Sequence, residues 1–328
     1  KHKKEIEHIV PDSVRDSIKV FNEKCRASVW QFTQEWRKLT ERIAFWLDLD
    51  DPYITYEPSY IESLWWVIAR AWKKGLFYKG HKVVPWCPRC GTALSSHELA
   101  QGYKETDDTS VYVRFKLLPD QEFGSASSPQ ADSMSLNDDA YVLSWTTTPW
   151  TLPGNVALAV ADDAAYAVVL VSHEAGDVTY ILAAERADAV MPKVAHAAPW
   201  RVLKTVRGRD LAGLSYVQLF DVEPLRNAKS HRIYPAAFVT ANEGTGVVHT
   251  AVMYGEDDYR LGTEIGLPQI HTVDESGKFA DIVPGLAGAF VKSKHAEDSI
   301  LHALKEHGFL AATENYRHEY PFCWRCST

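Results

Sequence analysis

Two Cys-x-x-Cys pairs constrain this chain more than any other feature. Cys87-Pro88-Arg89-Cys90 and Cys323-Trp324-Arg325-Cys326 are separated by 232 residues. One such turn brings two thiolates close enough to share a metal ion, and two complete a closed tetrahedral zinc site with no open position for chemistry. Zinc-ribbon spacings are usually far shorter. Two readings therefore stand at this point: one zinc shared by Cys87, Cys90, Cys323 and Cys326, or two unrelated thiol turns. Under the first, the simplest topology is a large insertion between two halves of one small metal-binding ribbon. No thioredoxin-like strand–helix–strand pattern surrounds either pair, which counts against a redox role. The fifth cysteine, Cys25, lies on an apolar helical stripe and reads as packing.

A chain of 328 residues predicts two or three structural units rather than one core. Residues 1–85 read as helical. Val14, Ile18, Phe21, Cys25, Val29, Phe32, Trp36, Leu39, Ile43 and Trp46 recur every three or four positions, which keeps one face of a long helix apolar until Asp50-Asp51-Pro52 breaks it. A second helix follows Pro58, with Ile61, Leu64, Trp65, Ile68 and Trp72 facing inward. From about residue 110 the period falls to 2, with Val111, Val113, Phe115 and Leu117 alternating with polar or aromatic neighbours. Further strands are expected at 140–146, 156–160, 166–171, 178–183, 200–206, 233–239, 245–250 and 269–273, and helices near 184–190, 256–265 and 295–307. Many short strands with few helices predict an α+β chain whose main domain is β-barrel-like with surrounding helices. Residues 120–139, rich in Ser, Asp, Ala and Gln, read as a mobile surface loop.

Hydrophobic residues make up 46% and charged residues 24%, ordinary values for a soluble globular protein. No run of 18 apolar residues marks a membrane span, and Lys1-His2-Lys3-Lys4-Glu5 lacks the apolar core of a secretory signal, so the expectation is a cytoplasmic protein. The net charge of −8 argues against a broad nonspecific nucleic-acid surface but leaves room for docking one RNA end.

The run Trp145-Thr146-Thr147-Thr148-Pro149-Trp150-Thr151-Leu152-Pro153-Gly154-Asn155 carries the strongest functional signal. Threonine suits strands, so three at a strand end have a plain structural reading. Here Pro149 and a Pro153-Gly154-Asn155 turn follow at once, which puts the hydroxyls at irregular backbone, where sites are usually built. Downstream, Gly244-Thr245-Gly246 turns into a strand ending in His249-Thr250, and Glu256-Asp257-Asp258 opens a helix. Acidic residues in a first turn are stabilising on dipole grounds alone. His249 at a strand end, nine residues before Asp258, nevertheless suits a pocket wall above an anionic floor.

In order and spacing these segments resemble the isoleucine–tRNA ligase family. The likeness also takes in Cys25-Arg26-Ala27-Ser28-Val29-Trp30, Tyr60-Ile61-Glu62-Ser63-Leu64-Trp65-Trp66, residues 84–95 around Cys87 and Cys90, and Cys323-Trp324-Arg325-Cys326-Ser327-Thr328. The valine and leucine relatives typically carry Arg after two threonines. The resemblance implies a class I synthetase piece: a helical segment of the Rossmann catalytic domain over 1–85, zinc-ribbon halves over 86–108 and 316–328, and an inserted editing domain over 109–315. It favours the shared structural zinc. Neither ATP-site signature is present, and Lys292-Ser293-Lys294 only superficially resembles the second, so ATP and Mg belong to the full-length enzyme.

By the same resemblance, Asp258 holds the substrate ammonium and His249 limits side-chain size. Thr146, Thr147, Thr148 and Asn155 position water and the terminal adenosine, beside Trp145. The implied partners are the 3′ acceptor end of tRNA(Ile) and a small noncognate aminoacyl group such as valine, on a monomer. Val252-Met253-Tyr254 stands where many members carry a Pro-containing, Gly-rich loop, a departure that bears on pocket shape after His249. This family is itself the established example of the underlying limit: a synthetic pocket separates isoleucine from valine only about 150-fold, because one methylene is worth roughly 1–3 kcal/mol. A second, hydrolytic site supplies the remainder. The competing readings are a noncatalytic zinc-stabilised module for the tRNA acceptor end, and an unrelated zinc metallohydrolase.

Overall fold

The structure, a computed structural model, describes residues 14–119, 121 and 139–328. The loop expected over 120–139 lies almost wholly outside these residues. The chain divides into two compact units, Lys1–Gly80 and His81–Thr328.

The first unit holds α1 (Val14–Gln31), α2 (Thr33–Arg42) and α3 (Pro58–Lys73), with Pro58 at the first turn where its missing N–H costs nothing. The single long helix expected here is interrupted at Phe32, whose backbone leaves helical angles (φ −110°, ψ 14°). The apolar stripe is present but not covered. Trp36 is 66% exposed and Trp65 63%, Cys25 is exposed, and no described side chain of this unit is buried. This corrects the inward assignment of those faces. Periodicity shows which face is apolar, whereas burial needs a second layer packed against it.

The second unit begins with the hairpin β1 (Trp86–Cys87) and β2 (Thr92–Ala93), then α4 (Ser96–Ala100), whose Ser95 and Glu98 form a reciprocal capping box. There follow β3 (Tyr103–Lys116), β4 (Ala140–Thr146), β5 (Ala157–Val160), β6 (Ala165–His173), β7 (Gly176–Ala183), α5 (Ala187–Val194) and β8 (Trp200–Arg207). Then come β9 (Arg232–Pro235), β10 (Val247–Thr250), α6 (Glu256–Ile265), α7 (Lys294–Glu306) and β11 (Leu310–Pro321). The strands make a six-stranded sheet, β11-β3-β4-β7-β6-β8, and a three-stranded sheet, β10-β5-β9. Pairing is antiparallel except between β4 and β7 and between β5 and β9.

Both sheets and α7 share one core, built from Val113, Phe115, Val142, Leu158, Ile181, Ile233 and Ile300. A second cluster joins Tyr112, Leu143, Val169 and Leu182 of the larger sheet to Val190 and Met191 of α5. The middle of that sheet is thus buried on both faces, and each fully buried Leu, Ile or Phe contributes about 1.5–3 kcal/mol. The expected barrel is not closed by any ladder among the described residues. The sheets are open and meet where the Ser144 hydroxyl of β4 donates to the Val247 carbonyl of β10 (2.9 Å).

The expected strand over 233–239 stops at Pro235, which cannot donate to a ladder, and 269–273 contributes only an isolated bridge at Val273. The two-residue strands β1 and β2 and the long strand β11 were not anticipated. β11 pairs with β3 from Leu310↔Val113 to Pro321↔Tyr103, so both strands run unbroken through residues 108 and 316. Gly102 is needed at the start of this ribbon, since a Cβ there would lie 1.8 Å from the Phe322 carbonyl oxygen.

Candidate functional site

The threonine run folds back on itself because β4 ends at Thr146 and a 3-10 turn starts at Pro149. The Thr148 N–H donates to Thr146 Oγ1 (3.1 Å), and the Thr146 and Thr148 hydroxyls lie 3.2 Å apart. Thr151, one 3-10 turn on, falls on the same side. Its hydroxyl donates to the Thr148 carbonyl (2.8 Å). These three threonines, with Trp145, His249 and Asp258, line a cavity of about 170 Å³ that is completed by Val248, Ala251 and Tyr254. Alternation along the chain sends Thr147 the other way. It lines a separate cavity of about 70 Å³ with Asp108, Trp150 and Lys292.

His249 is fixed at both ring nitrogens. Asn155 Nδ2 donates to the Ala157 carbonyl (3.0 Å), which accepts only, so the amide orientation is settled. The same Nδ2 faces His249 Nδ1 at 3.3 Å, which makes Nδ1 an acceptor and leaves the ring proton on Nε2. Nε2–H then donates to Thr151 Oγ1 (2.7 Å). Behind Asn155, the buried Tyr216 hydroxyl donates to Asn155 Oδ1 (2.7 Å). Burial pushes the His249 imidazolium down to a pKa of about 4. His249 is therefore neutral near pH 7, with no free lone pair to take a proton from water. Asn155 itself is buried and reaches the cavity only through His249.

Asp258 sits in the first turn of α6, where the helix N-terminus favours a carboxylate. The Ala251 N–H donates to its Oδ1 (3.3 Å). Gly255 gives the carboxylate its place, since a Cβ there would meet Asp258 Oδ2 at 1.9 Å. Burial pushes the Asp258 carboxyl up to about 6, and the backbone hydrogen bonds do not offset that. Among the described residues no cationic side chain pairs with it. Tyr254, from the segment departing from the family pattern, is held by Thr272 Oγ1 (2.8 Å) and by the Trp150 ring at 5.3 Å.

The four cysteines converge at the base of the ribbon. Cys87 Sγ lies 3.5 Å from Cys326 Sγ, Cys90 Sγ lies 3.9 Å from Cys323 Sγ, and all four sulfurs fall within 4.8 Å of one another. None is in a disulfide, and this group could hold one metal ion.

The sequence-predicted residues thus separate into groups. Trp145, Thr146, Thr148, His249 and Asp258 line one cavity, Asn155 stands behind it, Thr147 faces another, and the cysteines form their own corner. Thr151 and Tyr216 were missed, and Tyr254 was named only within a segment that bears on pocket shape. The three-residue step from Thr148 was the available signal for Thr151; nothing in the sequence marks Tyr216.

The family described as tRNA synthetases class I (I, L, M and V) matches residues 4–320. The chain belongs to the class I tRNA synthetases. Within that family it is similar to isoleucine–tRNA ligases: 41% identical over 318 residues to that of Clostridium kluyveri, covering 97% of this chain and 28% of the relative. The Dehalococcoides mccartyi enzyme is 43% identical over 333 residues, with 97% and 32% covered. This class I chain therefore spans under a third of the length of such relatives. Among solved structures, the editing domain of P. knowlesi cytosolic leucyl-tRNA synthetase matches with a TM-score of 0.42 and 12% identity, over 67% of this chain and 99% of that one. A likeness that weak carries no argument. No helix among the described residues is long and apolar enough to cross a membrane.

Proposed function

We propose that this chain is a hydrolytic editing module that removes valine from mischarged tRNA(Ile), and that its cysteine corner holds a structural zinc. The observation that carries the first part is that a lone carboxylate and a fixed neutral imidazole line one cavity with threonine hydroxyls. Asp258, lacking a cationic partner, binds the ammonium of an aminoacyl ester, and that ion pair returns its carboxyl toward the ionised form. His249, locked by Asn155 and Thr151, is a rigid wall that admits valine and rejects one more methylene. With both ring nitrogens engaged it is not the general base.

The Thr146 and Thr148 hydroxyls orient a water against the ester carbonyl. The water oxygen bonds to the carbonyl carbon, the ester C–O bond to the terminal ribose breaks, and the ribose oxygen takes the proton. Aminoacyl esters are activated, so positioning supplies much of the rate. The zinc reading rests on the sulfur spacing. Four thiolates about 2.3 Å from zinc stand roughly 3.8 Å apart in a tetrahedron. The two closest cross-pair distances, 3.5 and 3.9 Å, bracket that value. A zinc there stabilises the ribbon base and leaves no open position for substrate.

The test is deacylation of Val-tRNA(Ile) against Ile-tRNA(Ile), with Asp258→Ala beside the parent. Loss of valine only, abolished in the variant, is the expected result. If the folded, metal-loaded chain binds the tRNA but hydrolyses neither ester, the hydrolase reading gives way to that of a binding module.

A further inference from the structure

Five aromatic rings stand in file from the wall of the cavity down the edge of the larger sheet. Trp145, which lines the cavity, meets Tyr316 edge-on with ring centroids 5.1 Å apart. Tyr316 then meets His318 at 5.2 Å, His318 meets Tyr320 at 5.9 Å, and Tyr320 meets Phe322 at 5.8 Å. Residues two apart on a strand share a face, so the last four form one row. β11 is an edge strand; along the row Tyr316 is exposed and Tyr320 half-buried, while the His318 side chain is only 19% exposed.

Two cations approach this row. On its face, β3 contributes Lys104, Thr106 and Asp108 opposite Tyr320, His318 and Tyr316. Lys292 Nζ lies 4.2 Å from the Tyr320 ring centroid and Lys104 Nζ lies 5.4 Å from that of Phe322. Asp108 is already bound to His318 (3.0 Å) and lies near Lys292 (3.9 Å). The ribbon's Glu105, Asp107 and Glu319 alternate onto the opposite face, together with Arg317, which pairs with Glu105. Aromatic rings interleaved with cations are what an unpaired nucleic-acid strand needs, since every base offers a π-face and each phosphate a negative charge.

We infer that this row is the track for the unpaired nucleotides preceding the aminoacylated one, with bases laid on Tyr316 and Tyr320 and His318 as the spacer between them, as the terminal nucleotide enters the cavity. The inference rests on the editing reading for its direction, because Trp145 joins track and cavity. It does not need hydrolysis to be tested.

The probe is a four-nucleotide single-stranded RNA, compared with the same strand made abasic, with binding followed by fluorescence anisotropy. Stacking of one base on one ring corresponds to roughly a 5- to 150-fold change in Kd. Tyr320→Ala lowers affinity for the normal strand by a factor in that range and hardly changes affinity for the abasic one, while Tyr320→Phe retains parental binding. In hydrolysis, Tyr320→Ala raises KM for Val-tRNA(Ile) and leaves valyl-adenosine, which has no preceding nucleotide, unaffected. Equal binding of normal and abasic strands, or parental binding by Tyr320→Ala, overturns the track. Failure to hydrolyse either substrate, with the binding differences intact, removes the editing reading and leaves the track standing.

Discussion

The cavity and the cysteine corner both gather residues from distant parts of the chain, and they do so by opposite means. Around the cavity every step is a hydrogen bond between neutral groups, from Tyr216 through Asn155 and His249 to Thr151 and the Thr148 carbonyl. The one ionisable group at odds with its surroundings is Asp258, held at about 6 by burial. At the corner four sulfurs crowd within 4.8 Å and pull their neighbours' ionisation apart: burial first raises Cys87, hydrogen bonding to Cys326 first pushes Cys90 up to about 12, and against the opposing effect of burial the hydrogen bonds to Thr328, Cys87 and Cys90 lower Cys326 to about 6. The cavity carries one carboxylate with no cationic partner among the described residues, and the corner is a group that could hold one metal ion. Under the proposed function the first is a place where a ligand comes and goes, and the second a place where an ion stays.

Metal removal is the strongest way to break this comparison. Apparent binding energies of roughly 10–16 kcal/mol in small zinc domains set the scale. Chelation, or Cys323→Ser, is expected to release the metal and lower the melting temperature while the initial rate of deacylation holds within about twofold, since four thiolates leave no catalytic position. Immediate loss of hydrolysis with unchanged melting would make the corner catalytic. Next in size is Asp258→Ala. Removing one member of a buried charge pair costs about 2–5 kcal/mol, so kcat/KM for Val-tRNA(Ile) is expected to fall by roughly 30-fold or more. A variant within threefold of the parent would show that the ammonium is held elsewhere.

How much of this was legible in the sequence follows from how each element is stabilised. Strands that are nearly continuous apolar runs, such as 140–146 and 166–171, announce themselves, and burial along most of their length, on both faces, goes with that pattern. β11 and the first half of β3 do not. Thr-Glu-Asn-Tyr-Arg-His-Glu-Tyr reads as loop, and the ladder survives on cross-strand pairs such as Arg317–Glu105 and His318–Asp108. The same limit applies at the site. Asp258 and His249 stand out by motif, whereas Tyr216 lies 61 positions from Asn155 in a segment without periodicity, and only the fold brings its hydroxyl there. Thr147 shows the reverse: its motif membership was plain, and strand alternation placed it in a different cavity.

A smaller effect sharpens the comparison by testing whether Asp258 is held in an unfavourable state. Its carboxyl, ordinarily at 3.8, is raised to about 6, so the folded chain binds this proton more tightly than the unfolded chain. The native state is then disfavoured above pH 6 and recovers as the pH falls from 6 towards 4. Asp258→Asn removes the charge and keeps an oxygen for the Ala251 N–H. It is expected to stabilise the chain by on the order of 3 kcal/mol at pH 8, with the gain gone below about pH 4. Denaturant titrations at the two pH values measure it. Equal stability of parent and variant at pH 8 would mean that the carboxylate is satisfied without substrate.

The finest test addresses the hydrogen-bond chain around the cavity through a residue that never touches substrate. Tyr216→Phe keeps the buried ring and deletes one hydroxyl, leaving Asn155 Oδ1 without its donor, at a cost of about 1–3 kcal/mol. Asn155 stays tethered by the Ala157 carbonyl, so the fold survives, but its amide no longer has two fixed ends. The His249 ring then loses part of what specifies its tautomer. In the parent, the ring nitrogen resonances are expected to show the Nε2–H form with no titration between about pH 5.5 and 8, as befits a group held near 4. In Tyr216→Phe the resonances are expected to show a mixture of the two neutral tautomers, still without titration in that range because burial is unchanged, and the preference for valine over isoleucine esters is expected to narrow several-fold with kcat for valine nearly unchanged. A purely structural tyrosine would lower stability and move neither readout. In that case the hydrogen-bond chain ends at Asn155, and the wall against isoleucine is set by packing alone.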